Sequence, residues 1–574
     1  VLLSARYHFF LRSLEGAFIS YYPRKRIFLD RRIMDQNAAV FEVALCRECG
    51  QHYIIGKIKN GKLVEAVKDP SQAEFEISYF RPLDDSNLYE EEDELENRLA
   101  LKKYSLCLIC GAIVQEKKRG GLQCCHNNSI TVVREESSNE DGNKQISRCG
   151  LCGFTGGNRD PVRSIIYGTD GPNVVIVTSL FQLLPEGKKK ILAFADNRQE
   201  AAFFAWYLED SYKEIARRNA MYKILYGIGK YPSDGLSLVS LFDLAYKRSK
   251  NYFQDQLSDD ESTIKKKIQI AFYRELLTNE KRISLEGVGL IKWKLVLPEE
   301  LEVPESLLDP PWYLSKGQAR DLIAHLLDML RADKAIEINS LPDFFINFSD
   351  LSIKGTQFQV KTGEILGNRY MRCWNGRRGG RAKYLSKILM RKGICEKEAL
   401  DLAVQCLGQI WDSISEYDEN SNLDDRILYP IDGARRLNPN WYRVFLTDKM
   451  NDVFICDKCS RIHTENIFGI CSTPRCNGEL IKLNEETLDD NHYRQLYKSD
   501  MIPKMRVEEH TAQLDHEMAR MFQNEFKNDK IDVLSCSTTF ELGVDLGNLD
   551  NVFLRNVPPE AFNYAQRVGR SGRR

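Results

Sequence analysis

The chain has no stretch of about twenty apolar residues, which excludes a helical membrane span. It carries no charged-then-apolar leader and no lipidation motif, so a cytoplasmic protein is expected. Net charge is also missing: 81 Lys+Arg stand against 82 Asp+Glu, −1 overall. A basic nucleic-acid binder of the usual kind is therefore excluded, and any such surface must be a local patch. There is no G-x-x-x-x-G-K-[ST] loop to cradle phosphates. The nearest stretch, "YGIGKY" at 226–231, lacks Ser or Thr after Lys230 and the earlier glycine. No apolar strand runs into an acidic box, and "EEEDELE" at 90–96 sits in a charge run that reads as an exposed loop, 84–96. Together these absences exclude a self-sufficient nucleotide site. No Asp/Glu/His cluster with an open position suggests catalytic zinc.

What is present is concentrated at the C-terminus. "IDVLSCSTTFELGVDLG" opens on an apolar, β-prone run at 531–534, continues through Ser535, Ser537, Thr538 and Thr539, and reaches Glu541–Asp545. A second short strand follows around 551–554, closed by Pro558-Pro559. Next comes "YAQRVGRSGRR". At about 100° per residue, Gln566, Arg570 and Arg573 fall within roughly 60° on one helix edge. An amide and two guanidinium groups on one edge suit a polyphosphate; a solvated basic helix end is the alternative. Far earlier, "KKKILAFADNRQEAAFFAWYLED" reads as a strand at 191–195 entering a helix, with Asp196 or Asn197 as its N-cap. Strand–loop–helix units of this order make an α/β fold that gathers polar groups at strand ends.

"LAFADNRQEAA", "STTFELGVDLG" and "YAQRVGRSGRR" resemble motifs IV, V and VI of superfamily 2 helicases, in order along the second RecA-like domain. The resemblance is to DEAD/DEAH-type DNA helicases with a cysteine-rich insert, the MrfA/YprA-like repair helicases and their phage-defence relatives. It is strong over 160–210 and 505–574, moderate over 1–155 and weak over most of 211–450. Three ordered motifs place the phosphate reading of the arginine edge above the solvated one. The resemblance implies that Arg570 and Arg573 reach the nucleotide phosphates, with Gln566 beside the γ-phosphate. It implies Asp545 and Gly543 at the cofactor or the interdomain hinge, and Thr538 and Thr539 on a nucleic-acid phosphate. "EEHTAQLD", with His510 and Thr511, matches a strand-end motif between IV and V. Arg198 and Gln199 read equally as backbone contacts or as surface salt-bridge residues. ATP and Mg²⁺ are the implied cofactors, and the partners are nucleic acid (DNA rather than RNA), a missing N-terminal RecA-like domain, and a nuclease or other defence-system protein. Since the chain begins at Val1 and halts on the sixth motif, it reads as part of a longer polypeptide, inactive alone.

Twelve of the sixteen cysteines fall in C-x-x-C pairs or one compact group. Cys456-x2-Cys459-x11-Cys471-x4-Cys476 has the spacing of a four-thiolate zinc ribbon, with His463 as a rival ligand. The N-terminal set comprises Cys46, Cys49, Cys107, Cys110, Cys124, Cys125, His126, Cys149 and Cys152. Glycines after Cys49, Cys110 and Cys152 mark knuckle turns whose N–H groups face thiolate. Two further zincs are expected. Cys107 and Cys110 would join two of Cys124, Cys125 and His126, while Cys46 and Cys49 pair with Cys149 and Cys152. Spacing does not fix this pairing, and a single mixed site stays open.

Residues 213–450 carry helical periodicity, as in "QARDLIAHLLDMLRADKAIEI" and "EALDLAVQCLGQIWDSISEY". "FYRELLTNEKRISLEGVGLIKWKLV" reads either as helix–turn–helix–strand, a winged-helix element, or as plain insertion helices. "RCWNGRRGGRAKYLSKILMRK" at 372–392 holds eight Lys/Arg and no acid. With Trp374 and Tyr384 interleaved, Arg377, Arg378 and Arg381 suit a single-strand backbone track; a solvated loop is the equal alternative.

The length suits about three to five domains. The expected order is a connector at 1–40, a cysteine-rich zinc module at 41–155, the first part of a RecA-like domain at 156–212, a helical insertion at 213–450, a zinc ribbon at 451–482 and the rest of the RecA-like domain at 483–574. The expected protein is the C-terminal half of an ATP-dependent helicase acting in repair or phage defence. The alternative is a non-catalytic zinc-ribbon scaffold with a degenerate RecA-like half.

Overall fold

The structure is a computed structural model. It describes all residues except 1–6, 12–15, 48–49, 67–76, 84–101, 117–123, 125, 136–145, 147–148, 151–159, 166–169, 229–231, 254–258, 279–282, 339–345, 347, 352–356, 364–370, 378, 448–452, 474–475, 484–487, 489–490, 501, 512–513, 538–546, 548, 559 and 573–574. The chain divides into two compact units: 1–208 with 507–574, and 209–506.

The first unit begins with an eleven-stranded sheet in which strict alternation sends neighbouring side chains to opposite faces. Phe41 and Val43 of strand Ala38–Cys46 join Ile54, Phe80, Leu106 and Val132 on one face. Ala44 and Cys46 join Tyr53, Ile55, Tyr79 and Cys149 on the other. With apolar residues on both faces, this sheet is buried on both sides. The expected connector is part of it: Phe18–Ser20 pairs antiparallel with Ala38–Cys46, and Arg26–Phe28 pairs with Phe18–Ser20. The alternation at 18–20 is too short to stand out in the sequence.

The same unit ends in a four-stranded sheet ordered Val507–His510, Val533–Cys536, Ile191–Phe194, Asn551–Leu554, all neighbours parallel. Its core strands are the near-continuous apolar runs such a sheet needs: Leu192, Phe194, Leu534 and Cys536 are buried against Phe522 and Phe526 of helix His516–Lys527. Segments 342 and 360 residues apart (Ile191 with Val533 and with Asn551) thus share one sheet. Its contribution from the C-terminal part of the chain begins with strand Val507–His510.

The second unit is less helical than expected. Besides Leu238–Phe253, Glu261–Leu276, Lys316–Ala332, Gly380–Arg391 and Glu396–Asn420, it holds three small sheets. Helix Lys316–Ala332 is fixed by the Ser315/Gln318 capping box and a buried stripe including Leu322, Leu326 and Leu330. Where a winged helix would need a second helix, residues 283–290 form turns leading into strand Ile291–Leu295. Gly289, at φ +69, bends the chain in a conformation that favours glycine. That strand pairs with Tyr442–Leu446 in a three-stranded sheet, so the winged-helix reading is not met among the described residues.

Candidate functional site

In the four-stranded sheet, register fixes what the strand ends share. Phe194 lies opposite both Cys536 and Leu554, and His510 opposite Cys536. The C-terminal ends of all four parallel strands therefore open on one edge, where α/β sheets present their ligand-binding loops. Asp196 to Gln199, Ser537, Arg555 with Asn556, and Thr511 follow directly from those ends. Asn197, rather than Asp196, caps helix Arg198–Tyr226, its Oδ1 accepting the Glu200 N–H at 2.8 Å. Arg198 and Gln199 are exposed. Ser537 and Thr511 are buried, and burial lowers the pKa of His510. Thr538, Thr539, Gly543 and Asp545 lie outside the described residues.

The arginine segment differs from a continuous helix. Helix Ala561–Val568 ends at Gly569, and Arg570 lies in a turn, its N–H donating to the Arg567 carbonyl at 3.3 Å. Gly572, at φ +70, donates to the Leu549 carbonyl at 2.8 Å, a left-handed stop that glycine adopts without strain. The helical alignment of Gln566 with Arg570 therefore does not hold, because the helix ends at Gly569, before Arg570. Gln566 and Arg570 are half-buried; Arg573 lies outside the described residues. The arginine that sequence reasoning passed over is Arg567. It is 2% exposed, with Nη1 3.4 Å from Asp196 Oδ1. Its i−3 spacing from Arg570 was the only signal available.

Two cysteine clusters are assembled. Cys107, Cys110, Cys124 and His126 bring their donor atoms within 4.8 Å of one another, and so do Cys456, Cys459, Cys471 and Cys476. The first cluster contains Cys124 and His126; Cys125 lies outside the described residues. Cys107 and Cys110 sit at a knuckle between strands Lys102–Cys107 and Ile113–Gln115, with the Gly111 N–H donating to the Cys107 carbonyl at φ +74. Burial raises the Cys107 thiol pKa, but the N–H groups of Cys110 and Ile109 outweigh it and lower the pKa. The second cluster repeats this turn, Ser460 donating to Cys456 at φ +54. There Cys456 Sγ lies 3.4 Å from Cys476 Sγ and Cys459 Sγ 3.7 Å from Cys471 Sγ. A hydrogen bond from Cys471 holds Cys459 down at about 2 and pushes Cys471 up in turn. His463 Nε2 is 3.4 Å from Cys471 Sγ, beside the cluster and not a fifth member. A Cβ on Gly478 would meet Cys456 Sγ at 2.2 Å, so the thiolate cradle needs glycine there. Four crowded thiols of this kind fit a tetrahedral divalent ion, which would neutralise the thiolates and hold the segment folded.

Cys46 shows a third knuckle, the Gly50 N–H donating to its carbonyl at φ +72, and it shares a buried cluster with Cys149. Cys149 Sγ lies 3.0 Å from Tyr53 Oη. Cys49 and Cys152 lie outside the described residues.

The basic stretch at 372–392 is engaged within its own unit. Arg381 is buried and donates to the Trp374 and Cys373 carbonyls and to Asp333 Oδ2 at 3.1–3.2 Å. Arg377 pairs with Asp401. One face of helix Gly380–Arg391 grips the second cysteine cluster: Tyr384 Oη donates to Ile467 O at 3.3 Å, Lys387 Nζ to Cys476 O at 2.8 Å, and Arg391 Nη2 to Glu479 Oε1 at 2.8 Å. The expected strand track is thus corrected for Arg381, whose donors are taken by the fold. Arg378 lies outside the described residues. His325, on helix Lys316–Ala332, lies 3.6 Å from Glu465. Burial pushes Glu465 up, yet His325 and Lys292 together hold it at about 2.

Among the described residues no helix is long and apolar enough to cross a membrane. Residues 27–166 match the YjiV N-terminal domain family, and residues 480–574 match the helicase conserved C-terminal domain. Druantia protein DruE of Escherichia coli (strain UMEA 4076-1) is 47% identical over 93 residues, 14% of this chain and 5% of that protein. The ATP-dependent helicase Lhr-Core of Methanocaldococcus jannaschii is 39% identical over 69 residues, 12% of this chain and 8% of that protein. An uncharacterized ATP-dependent helicase of the same archaeon is 43% identical over 53 residues, 9% of this chain and 8% of that protein. The chain therefore spans only 5–8% of the length of these relatives. No solved structure matches the chain. A helicase conserved C-terminal domain is present at residues 480–574, in a chain with partial likeness to ATP-dependent helicases.

Proposed function

We propose that the chain is the C-terminal half of an ATP-dependent superfamily 2 helicase or translocase acting on DNA, in the repair or phage-defence setting its motifs imply. The observation that carries this reading is the shared edge: Asp196 to Gln199, Ser537 and Arg555 with Asn556, far apart in the chain, follow the aligned ends of one parallel sheet. The four-stranded sheet that joins Ile191–Phe194 to the strands of 507–554 is read as part of the second RecA-like domain. Arg570 and Arg573 are the guanidinium groups offered to ATP, with Gln566 alongside. Their fixed charge offsets negative charge building on the transferring phosphoryl oxygens. Mg²⁺, when bound, would neutralise the phosphates; its ligands belong to the longer protein. Thr538 and Thr539, with Arg198 and Gln199, are read as contacts to the nucleic-acid backbone. The cysteine clusters are read as structural zinc sites, three in all if Cys46, Cys49, Cys149 and Cys152 close the third.

The test is ATP hydrolysis with and without DNA, by the full-length protein and by this chain alone. The reading expects DNA-stimulated turnover from the former and none from the latter. Turnover by the isolated chain would overturn the half-site assignment. No turnover by the full-length protein would favour a binding scaffold.

A further inference from the structure

Two buried arginines tie the segment after strand Asn551–Leu554 to the entry of helix Arg198–Tyr226. Arg555, 8% exposed, donates to the Glu200 carbonyl at 3.1 Å, lies 3.4 Å from Glu200 Oε2, and stacks 5.4 Å from the Phe204 ring centroid. Arg567 repeats the arrangement one turn back, with Asp196 as its acid and the Phe194 ring 5.6 Å away. Asp196 does more than pair with Arg567. Its other oxygen accepts from Asn556 Nδ2 at 2.7 Å. One carboxylate thus holds both ends of the 556–567 stretch against the sheet edge. Helix capping does not explain it, since Asn197 performs that task.

The consequence falls on Arg570. It follows Arg567 by three residues, and its N–H donates to the Arg567 carbonyl. Ser571 Oγ donates to the Val568 carbonyl at 3.0 Å and ties this turn to the end of the helix that carries Arg567, so the turn follows that helix end. We propose that Asp196 is a positioning residue: by clasping Arg567 and Asn556 it sets where the 569–572 turn presents the Arg570 guanidinium. This rests on reading Arg570 as a phosphate-facing group. A misplacement of about 1 Å in such a group lowers a rate by about 10²-fold. Neutralising Asp196 removes the charge that draws Arg567 while keeping nearly the same side-chain volume.

The experiment compares wild type, Asp196→Asn, Arg567→Gln and the double variant in the full-length protein. It measures kcat and KM for DNA-stimulated ATP hydrolysis, and ATP affinity separately. The clasp predicts that Asp196→Asn lowers kcat about 10²-fold with ATP affinity little changed. It also predicts that the double variant is no worse than Arg567→Gln alone, because neighbours that act through one contact are not additive. A merely structural role would lower melting temperature, affinity and kcat together. Wild-type kcat in Asp196→Asn, or strictly additive losses, would overturn the clasp while leaving the helicase reading intact. An inactive wild type would overturn that reading first. If Asp196→Asn does not fold, Asn556→Ala carries the test: a fall in kcat of about tenfold at unchanged ATP affinity supports the clasp, and no fall overturns it.

Discussion

The stretches at 372–392 and 555–573 hold five and four arginines and have very different surroundings. In the first, Arg381, Lys387, Arg391 and Lys392 donate to carbonyls and carboxylates of their own unit. In the second, Arg555 and Arg567 are buried on aromatic rings, while Arg570 is carried in a glycine-flanked turn. Buried backbone carbonyls must find donors, and an arginine beside them is claimed by the fold before any ligand arrives. Arg570 instead lies in the turn that follows the helix end at Gly569. Composition counts charges; only packing decides which of them the fold has already taken.

The largest effect that could break this contrast concerns metal. If helix Gly380–Arg391 is held by a metal-bound segment, Cys459→Ser or a strong chelator should release ion and unfold residues 453–482. Structural zinc contributes about 10–16 kcal/mol in small domains, so the loss should be complete. Elemental analysis should find at least two zincs per chain, and three if the Cys46 knuckle closes a site. None would show that the crowded thiols are not metal ligands, and one would leave a single cluster metal-bound. Gly478→Ala should weaken metal retention without touching a ligand, because its Cβ would intrude on Cys456.

A smaller effect sharpens the same contrast. Arg381→Ala should destabilise the second unit by about 2–3 kcal/mol, as a buried charged donor to two carbonyls and a carboxylate is lost. Arg377→Ala, removing an exposed ion pair, should stay within about 0.5 kcal/mol. Denaturant melts measure both. If instead Arg381→Ala left stability unchanged and lowered the salt slope of DNA binding, the single-strand track would be restored.

The smallest effect is electrostatic. Asp418 is buried and its pKa rises to about 6, because desolvation outweighs the N–H groups of Ile427 and Leu428 and the charge of Arg435. A carboxyl raised in the folded state stabilises while protonated, and that contribution is lost as pH climbs through about 6. Wild-type stability should therefore fall as pH rises from about 4 to about 6, and Asp418→Asn should lack that fall. Parallel pH profiles for the two proteins would contradict the burial of an ionising Asp418.

Much of the functional edge was legible because parallel strands are buried on both faces and read as apolar runs, as at 191–194 and 533–536. The four-thiolate cluster was legible because short-range spacing constrains tetrahedral ligands. The sheet at 18–35 was not, since strands of two or three residues leave no periodicity. The helix carried too far through Gly569 shows the limit of angular arithmetic, which holds only while the helix does. Asp196 and Arg567, 371 positions apart, could meet only through the sheet order.

The central claim is that the turn after helix Ala561–Val568 faces a nucleotide. Steady-state DNA-stimulated ATP hydrolysis by full-length Arg570→Ala and Arg573→Ala, with ATP affinity measured in parallel, tests it most directly. The account predicts a loss of roughly 10³–10⁵ in kcat for each, with binding largely kept, and no rescue by Arg573→Lys, since a point charge lacks the planar fork. Near wild-type turnover at saturating ATP and DNA would contradict it and return this turn to a structural role.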